Sequence, residues 1–417
     1  MKSARTLLSL ASLFGCVLLL VTGCRPDDAP APVVNPIERG RLLSVERLAA
    51  FDSLAIDSII DSVDPFLSLF FAKRYDVVLY KVAYVSEDQF GNSAAISGAV
   101  ALPLARNGNA PEAASVVGYS HGTVLHKDGV PSREAGDVVI GLLLATDGYA
   151  VGLTDYLGLG DSPVFHPYSH AKTQAVAVVD MLRATRILAE DNELELNGQV
   201  FLTGYSQGGH ATMAAQREIE LYHSDEFRLV GSAPMAGAYD ISGVQEQYLL
   251  AFDPYPTPGY LPYILYGYAE VYDYLPDPKS VLKPPYDSIV DANMNQVTTM
   301  GQLNDLCNPV PRLMLLDSVM DAYENDPNHP LKIALRDNDL HLGWVPQSNL
   351  RMYYCEGDDQ VSYENSIVAL DAFRAAGAPA VSAQRIDTDG NLLDHNDCAP
   401  NCLLAGKLWF DSLRATN

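Results

Sequence analysis

Positive charge is scarce in this chain. Against 52 aspartates and glutamates stand 27 lysines and arginines, which leaves a formal net charge of −25. No basic patch gathers those few cations, so nucleic acid and anionic lipid surfaces are excluded as partners. Cysteine is scarce too, with six in 417 residues and no His/Cys spacing of the kind that holds zinc. Internal repeats are missing, and so is any low-complexity block beyond the N-terminal region. The apolar run from Leu7 to Val21 is too short and wrongly flanked for a spanning helix.

What stands at the N-terminus is an address. Met1-Lys2-Ser3-Ala4-Arg5 is a positive leader, followed by the apolar run and then Thr22-Gly23-Cys24, the order of a secretory signal. Leu20-Val21-Thr22-Gly23-Cys24 resembles a bacterial lipoprotein box, which implies a signal peptide over 1–23, cleavage before Cys24 and lipidation of its thiol. Residues 24–35, with Asp27-Asp28 and Pro26, Pro30 and Pro32, read as a polar tether that holds a domain off the bilayer. The expected location is the cell envelope, lipid-anchored to an outer membrane on its periplasmic or surface face. Removing Lys2 and Arg5 takes the formal charge from −25 to −27. Once Cys16 and Cys24 are set aside, Cys307, Cys355, Cys398 and Cys402 remain. Four cysteines in an exported chain predict two disulfides, with three possible pairings.

About 390 residues remain after cleavage, which suits one large α/β domain with an insertion, or two domains. Pro36 to Asp64 reads as one or two short amphipathic helices. Arg74 to Val85 and Ser93 to Leu104 read as a two-stranded meander turning at Gln89-Phe90-Gly91-Asn92. Buried strands follow at Ala114 to Tyr119, Tyr149 to Thr154, Gln199 to Thr203 and Arg228 to Ala233, with helices around Ala135 to Ala145 and Ala171 to Glu190. From 241 to 340 the alternation stops, and nine of the 23 tyrosines fall between Tyr248 and Tyr286. A structureless loop of that length would be unusual in a compact domain, so 241–340 is predicted to be a helical lid. Its tyrosines either line a pocket or pack the lid down. Alternation resumes with a strand at Leu350 to Cys355, a helix from Tyr363, a strand at Val381 to Ile386 and a closing helix from about Leu403 to Leu413. Core residues 36–240 and 341–417 thus predict an α/β three-layer sandwich around a mostly parallel sheet.

One stretch carries the chemistry. Gly204-Tyr205-Ser206-Gln207-Gly208-Gly209 lies between a short apolar strand and a helix rich in Ala, Met, Gln and Glu. Strand, G-x-S-x-G and helix in that order make a nucleophile elbow. Its glycines permit the sharp turn, and the helix N-terminus favours a developing oxyanion. A serine there needs a histidine to take its proton and an acid to orient that histidine, in the chain order serine, acid, histidine. Of nine histidines only His395 follows the last predicted strand. The acid belongs in Glu356-Gly357-Asp358-Asp359, where Asp358 is favoured and Asp359 and Glu356 are its rivals. Oxyanion donors are expected from the amide of Gln207 and from His121 or Gly122 in the loop after the third strand. That loop holds a second G-x-S-x-G around Ser120, but no helix follows it. His166 and His170, four apart, are interrupted by Pro167 and have no third ligand, so no metal is expected.

Ser206, Asp358 and His395 in that order, the Ser120-His121-Gly122-Thr123 loop, Thr154-Asp155-Tyr156-Leu157-Gly158, His166-Pro167-Tyr168 and Gly343-Trp344-Val345-Pro346 together resemble the secretory lipases of the α/β-hydrolase superfamily, of the lipase A type. The resemblance spans roughly Arg74 to Leu413. It implies an α/β-hydrolase fold, hydrolysis of small-molecule or lipid esters without a cofactor, and an acyl tunnel within the lid. Cys355-Glu356 departs from the His-Gly step more usual there. Two rivals stay open: a serine hydrolase of the same fold acting on peptide or polysaccharide esters, and an inactive surface-binding lipoprotein.

Overall fold

The computed structural model describes residues 38–52, 54–56, 58–59, 71 and 73–416. The expected signal peptide over 1–23, the expected tether over 24–35 and Cys24 lie outside them. Among the described residues nine strands form one sheet in the order β1-β2-β3-β5-β4-β6-β7-β8-β9. Strands β1 (Leu42–Phe51), β2 (Asp76–Glu87) and β3 (Ser93–Leu104) run antiparallel, and β3 meets β5 (Tyr149–Thr154) antiparallel. From β5 through β4 (Ala114–Ser120), β6 (Leu196–Tyr205), β7 (Arg228–Met235), β8 (Asn349–Tyr354) and β9 (Val381–Arg385), every pairing is parallel. This is the α/β-hydrolase fold, a mostly parallel sheet between helical layers.

The central strands explain themselves. Every residue of β4 (ASVVGYS) and β5 (YAVGLT) is buried, as expected of strands covered on both faces. Helices α1 (Val138–Thr146) and α5 (His395–Thr416) cover one face, where Val117, Phe201 and Met235 pack with Leu143 and Phe410. On the other face lie α2 (Ala171–Asp191), α3 (Gln207–Tyr222) and α4 (Glu364–Ala375), packed through Val178, Leu182, Ala215 and Phe373.

Between β7 and β8 the chain adds no strand to the sheet. It forms short helices, among them Tyr260–Ala269, Tyr286–Asn293, Asp317–Asn325 and Pro330–Asp337. They share a core of Leu249, Leu261, Val290 and Leu303 that reaches Leu125 and Tyr168 of the sheet loops. Among the described residues no helix is long and apolar enough to cross a membrane.

Three local expectations need correction. Leu42–Phe51 is an edge strand paired with β2, not a helix. Its Leu, Arg, Glu and Ala suit a helix by propensity, but the open edge of β2 supplies the ladder that decides the matter. The closing helix begins at His395 rather than Leu403 and contains Pro400. The polar run Asn396-Asp397 reads as loop, yet the Cys398 amide already donates to the Asp394 carbonyl at 2.9 Å. Among the described residues one disulfide, Cys355–Cys398, joins the residue after β8 to this helix, and Cys307 and Cys402 are free. Cys402 sits one turn beyond Cys398 with its sulfur 3.4 Å from that already bonded sulfur, while Cys307 lies away in the helical segment.

Candidate active site

Strand β6 ends and α3 begins at Ser206. The serine is the N-cap of α3, with φ 60° and ψ −121°, a backbone region that costs a non-glycine residue strain. Tight packing of bare backbone holds it there: a Cβ on either Gly204 or Gly208 would strike the Ser120 carbonyl oxygen. The Ser206 amide donates to the Met235 carbonyl at 2.9 Å, which pins the turn to the end of β7. Gln207 is the first helical residue, so its N–H has no intrahelical acceptor.

Two further loops converge at the same carboxyl-terminal edge of the sheet, where ligands bind in open α/β folds. His395 Nδ1 lies 2.7 Å from Asp358 Oδ2, and both side chains are buried. The other oxygen of Asp358 accepts the amides of Gln360 and Val361 at 2.9 and 2.8 Å. A carboxylate held this way accepts from Nδ1–H and leaves Nε2 of His395 as the basic nitrogen. Tyr205, the residue before Ser206, ties the elbow to this pair. Its hydroxyl donates to the His395 carbonyl at 2.6 Å, and the two rings lie 4.9 Å apart.

The rivals have other partners. Asp359 accepts the His395 backbone amide at 3.2 Å, and Glu356 pairs with Arg385 at 2.8 Å. Ser120 ends β4 within the ladder, opposite Thr154 and Gly204, and has no elbow geometry. His121 turns its ring inward: Nε2 is 3.3 Å from the Asp155 carbonyl and the ring packs 4.4 Å from Tyr156. Gly122 lies beside the serine, since a Cβ built on it falls 4.0 Å from Ser206 Cβ. Its amide donates to Asp137 at 3.3 Å, and Tyr119 donates to the same oxygen at 3.0 Å.

A cavity under the helical segment is lined by Ser206, Gln207, Tyr168, Tyr255, Tyr260 and Val361, among others. The tyrosines of that segment divide between the two expected uses: Tyr255 and Tyr260 line the cavity, while Tyr268 is wholly buried in packing. His166 and His170 do not converge as ligands among the described residues. Burial pushes the pKa of His166 down to about 3 and those of His170 and His210 to about 4. Sequence reading missed two braces. Asp387 accepts the amides of Glu356 and Gly357 at 3.0 and 2.9 Å, and so steadies the loop that carries Asp358. His166 Nε2 meets the Gln207 side chain at 2.7 Å. Asp387 carries no local pattern; His166 stands in the His166-Pro167-Tyr168 stretch, but neither that stretch nor the G-x-S-x-G motif marks it as the partner of the Gln207 side chain.

The family model of the secretory lipases matches residues 133–410. No curated protein sequence matches the chain. Among solved structures, the rice cell wall degrading esterase LipA from Xanthomonas oryzae is 27% identical with a TM-score of 0.75, over 89% of this chain and 95% of that one. A Legionella pneumophila protein superposes with a TM-score of 0.80 at 23% identity, over 89% and 98% of the two chains. Candida antarctica lipase A in its closed state shares the fold at 16% identity and a TM-score of 0.63, over 87% and 79%. Family and neighbours together support ester hydrolysis, and a match over more than half of its length shows that this chain belongs to the secretory lipase family.

Proposed function

We propose that the chain is a lipid-anchored serine carboxylesterase that works through an acyl-enzyme. The observation that carries this reading is the strained backbone of Ser206, φ 60° at a strand–helix junction, on the sheet edge where His395 and Asp358 pair at 2.7 Å. Ser206 attacks the ester carbonyl while His395 takes its proton and passes it to the leaving alcohol. Asp358 holds the imidazole tautomer and stabilises the imidazolium. The amides of Gln207 and His121 bind the oxyanion, since the Gly122 amide already donates to Asp137; each such donor is worth about 3 kcal/mol in comparable sites. Water then enters, His395 acts as base again, and the acid leaves. In this reading residues 241–340 act as a lid over the cavity, and Cys24 carries the lipid that fixes the enzyme to the cell envelope.

Ser206→Ala tests the proposal. Hydrolysis of p-nitrophenyl esters should fall to background, and a fluorophosphonate probe that labels the wild type should leave the variant unlabelled. Persisting turnover in the variant would remove Ser206 as nucleophile. A panel of acyl, feruloyl and aminoacyl esters separates simple esters from polysaccharide and peptide esters.

A further inference from the structure

The side chain of Gln207 has work apart from its backbone. Its Nε2 lies 2.7 Å from His166 Nε2, and His166 Nδ1 lies 2.6 Å from the Leu157 carbonyl oxygen. A carbonyl oxygen only accepts, so Nδ1 carries the proton and Nε2 must accept. Burial keeps His166 neutral, with its pKa pushed down to about 3. The donor to Nε2 is therefore the Gln207 amide nitrogen, which fixes the orientation of the side-chain amide. Its carbonyl oxygen, Oε1, is left with no donor from the protein, although Gln207 is only 4% exposed. A buried acceptor without a donor is costly, and native structures rarely keep one without a use.

Gln207 lines the cavity beside Ser206, and apart from Ser169 the other polar side chains around it are engaged elsewhere. Tyr168 shares a hydrogen bond with Thr123 at 2.9 Å. Tyr255 and Tyr260 both donate to Gln360, at its carbonyl and its side-chain oxygen. Gln245 bonds the Gln360 carbonyl and Asn365, and His210 faces Gln174 and Asn338. The rest of the wall is largely apolar, including Ala238, Ile241, Leu249 and Val361. Among the buried side chains of this wall, the hydrogen-bonding position left open beside the nucleophile is the Gln207 acceptor.

We propose that Gln207 Oε1 selects an acyl group bearing a hydroxyl on the second or third carbon, so that the preferred substrates are hydroxyacyl esters. The proposal rests on the serine-esterase reading above. The position follows from adjacency: the acyl carbon bonds to Ser206, and the receptor is the next residue along the chain. A hydroxyl there donates to Oε1, whereas a plain acyl chain leaves that carbonyl buried and unpaired. Sites that hydrogen-bond a substrate hydroxyl reject the analogue lacking it far more strongly than apolar pockets discriminate by size.

The experiment compares p-nitrophenyl butyrate with the 2-hydroxy- and 3-hydroxybutyrate esters, each corrected for its rate of alkaline hydrolysis. The wild type should favour at least one hydroxy ester by about 10-fold or more in kcat/KM. Gln207→Met removes the acceptor but keeps length and backbone, and should bring that ratio to near one. A wild-type ratio of one or less for both hydroxy esters overturns the proposal while leaving esterase activity intact, as does a preference that Gln207→Met leaves unchanged. Failure to hydrolyse any ester strikes at the underlying reading, and this one falls with it. Should Gln207→Met not fold, the wild-type ratios decide alone.

Discussion

Asp358 and Asp359 adjoin in sequence and differ in what they hold. Asp358 touches the imidazole of His395, whereas Asp359 takes only the backbone amide of the same residue. Asp358→Asn should therefore lower kcat by about 10⁴-fold, because an amide no longer enforces the reactive tautomer, while thermal stability changes little. Asp359→Asn keeps an acceptor oxygen for the helix start and removes only its charge, and should cost less than about 10-fold in kcat. Steady-state kinetics of the two variants settle the roles; the reverse ranking would move the acid to Asp359. The loop is legible in the sequence from its place after a strand, and its reading favours Asp358, but what aims that side chain is not. Side-chain directions in a turn follow no period, and here the amides of Gln360 and Val361 aim Asp358.

At the scale of elements, the disulfide joins the loop that carries the acid to the helix that opens on the base. Cys355 precedes Asp358 by three residues, and Cys398 follows His395 by three. The bridge closes 43 residues, a loop for which chain entropy gives about 4 kcal/mol. Cys355→Ser should lower the urea midpoint accordingly and reduce kcat, since the span between Asp358 and His395 then depends on noncovalent packing. An unchanged midpoint and rate in the oxidised protein would show that the packing suffices without the bridge. The second predicted bridge fails for a plain reason. Cysteine count sets a number of possible pairs, but only the fold sets which sulfurs meet. Strand reading shows the same limit. The continuous apolar runs of β4 and β5 announce burial on both faces, whereas Leu42–Phe51, mostly solvent-facing, owes its form to the neighbouring strand. Helix α5 starts eight residues earlier than its apolar pattern suggests, because Cys398, buried by its bond to Cys355, anchors a first turn of otherwise polar sequence.

Across the whole molecule, acid should loosen the join between the sheet and the helices inserted after β7. Three buried histidines stand along that join. His166 packs 6.0 Å from Tyr263, His170 lies 5.9 Å from Tyr272, and His210 Nε2 is 3.1 Å from the Asn338 carbonyl. Burial holds their pKa values at about 3, 4 and 4 in the folded chain, against roughly 6.5 when unfolded. The unfolded state therefore binds more protons through this window. Their contribution to stability is whole above pH 6.5 and is lost as pH falls, at about 1.4 kcal/mol per pH unit for each histidine. Buried Asp155 and Asp180, whose carboxyls burial pushes up, oppose this by taking protons in the folded state, so the raw slope mixes both signs. A variant removes the mixture. His170→Gln should flatten the dependence of unfolding free energy on pH between 6.5 and 4.5 by about 1.4 kcal/mol per unit relative to wild type, because every carboxylate is common to both proteins. Urea denaturation at pH 7, 6, 5 and 4.5 measures the difference. Parallel curves would mean that position 170 takes up no proton on unfolding, and acid sensitivity would then have to arise away from the join.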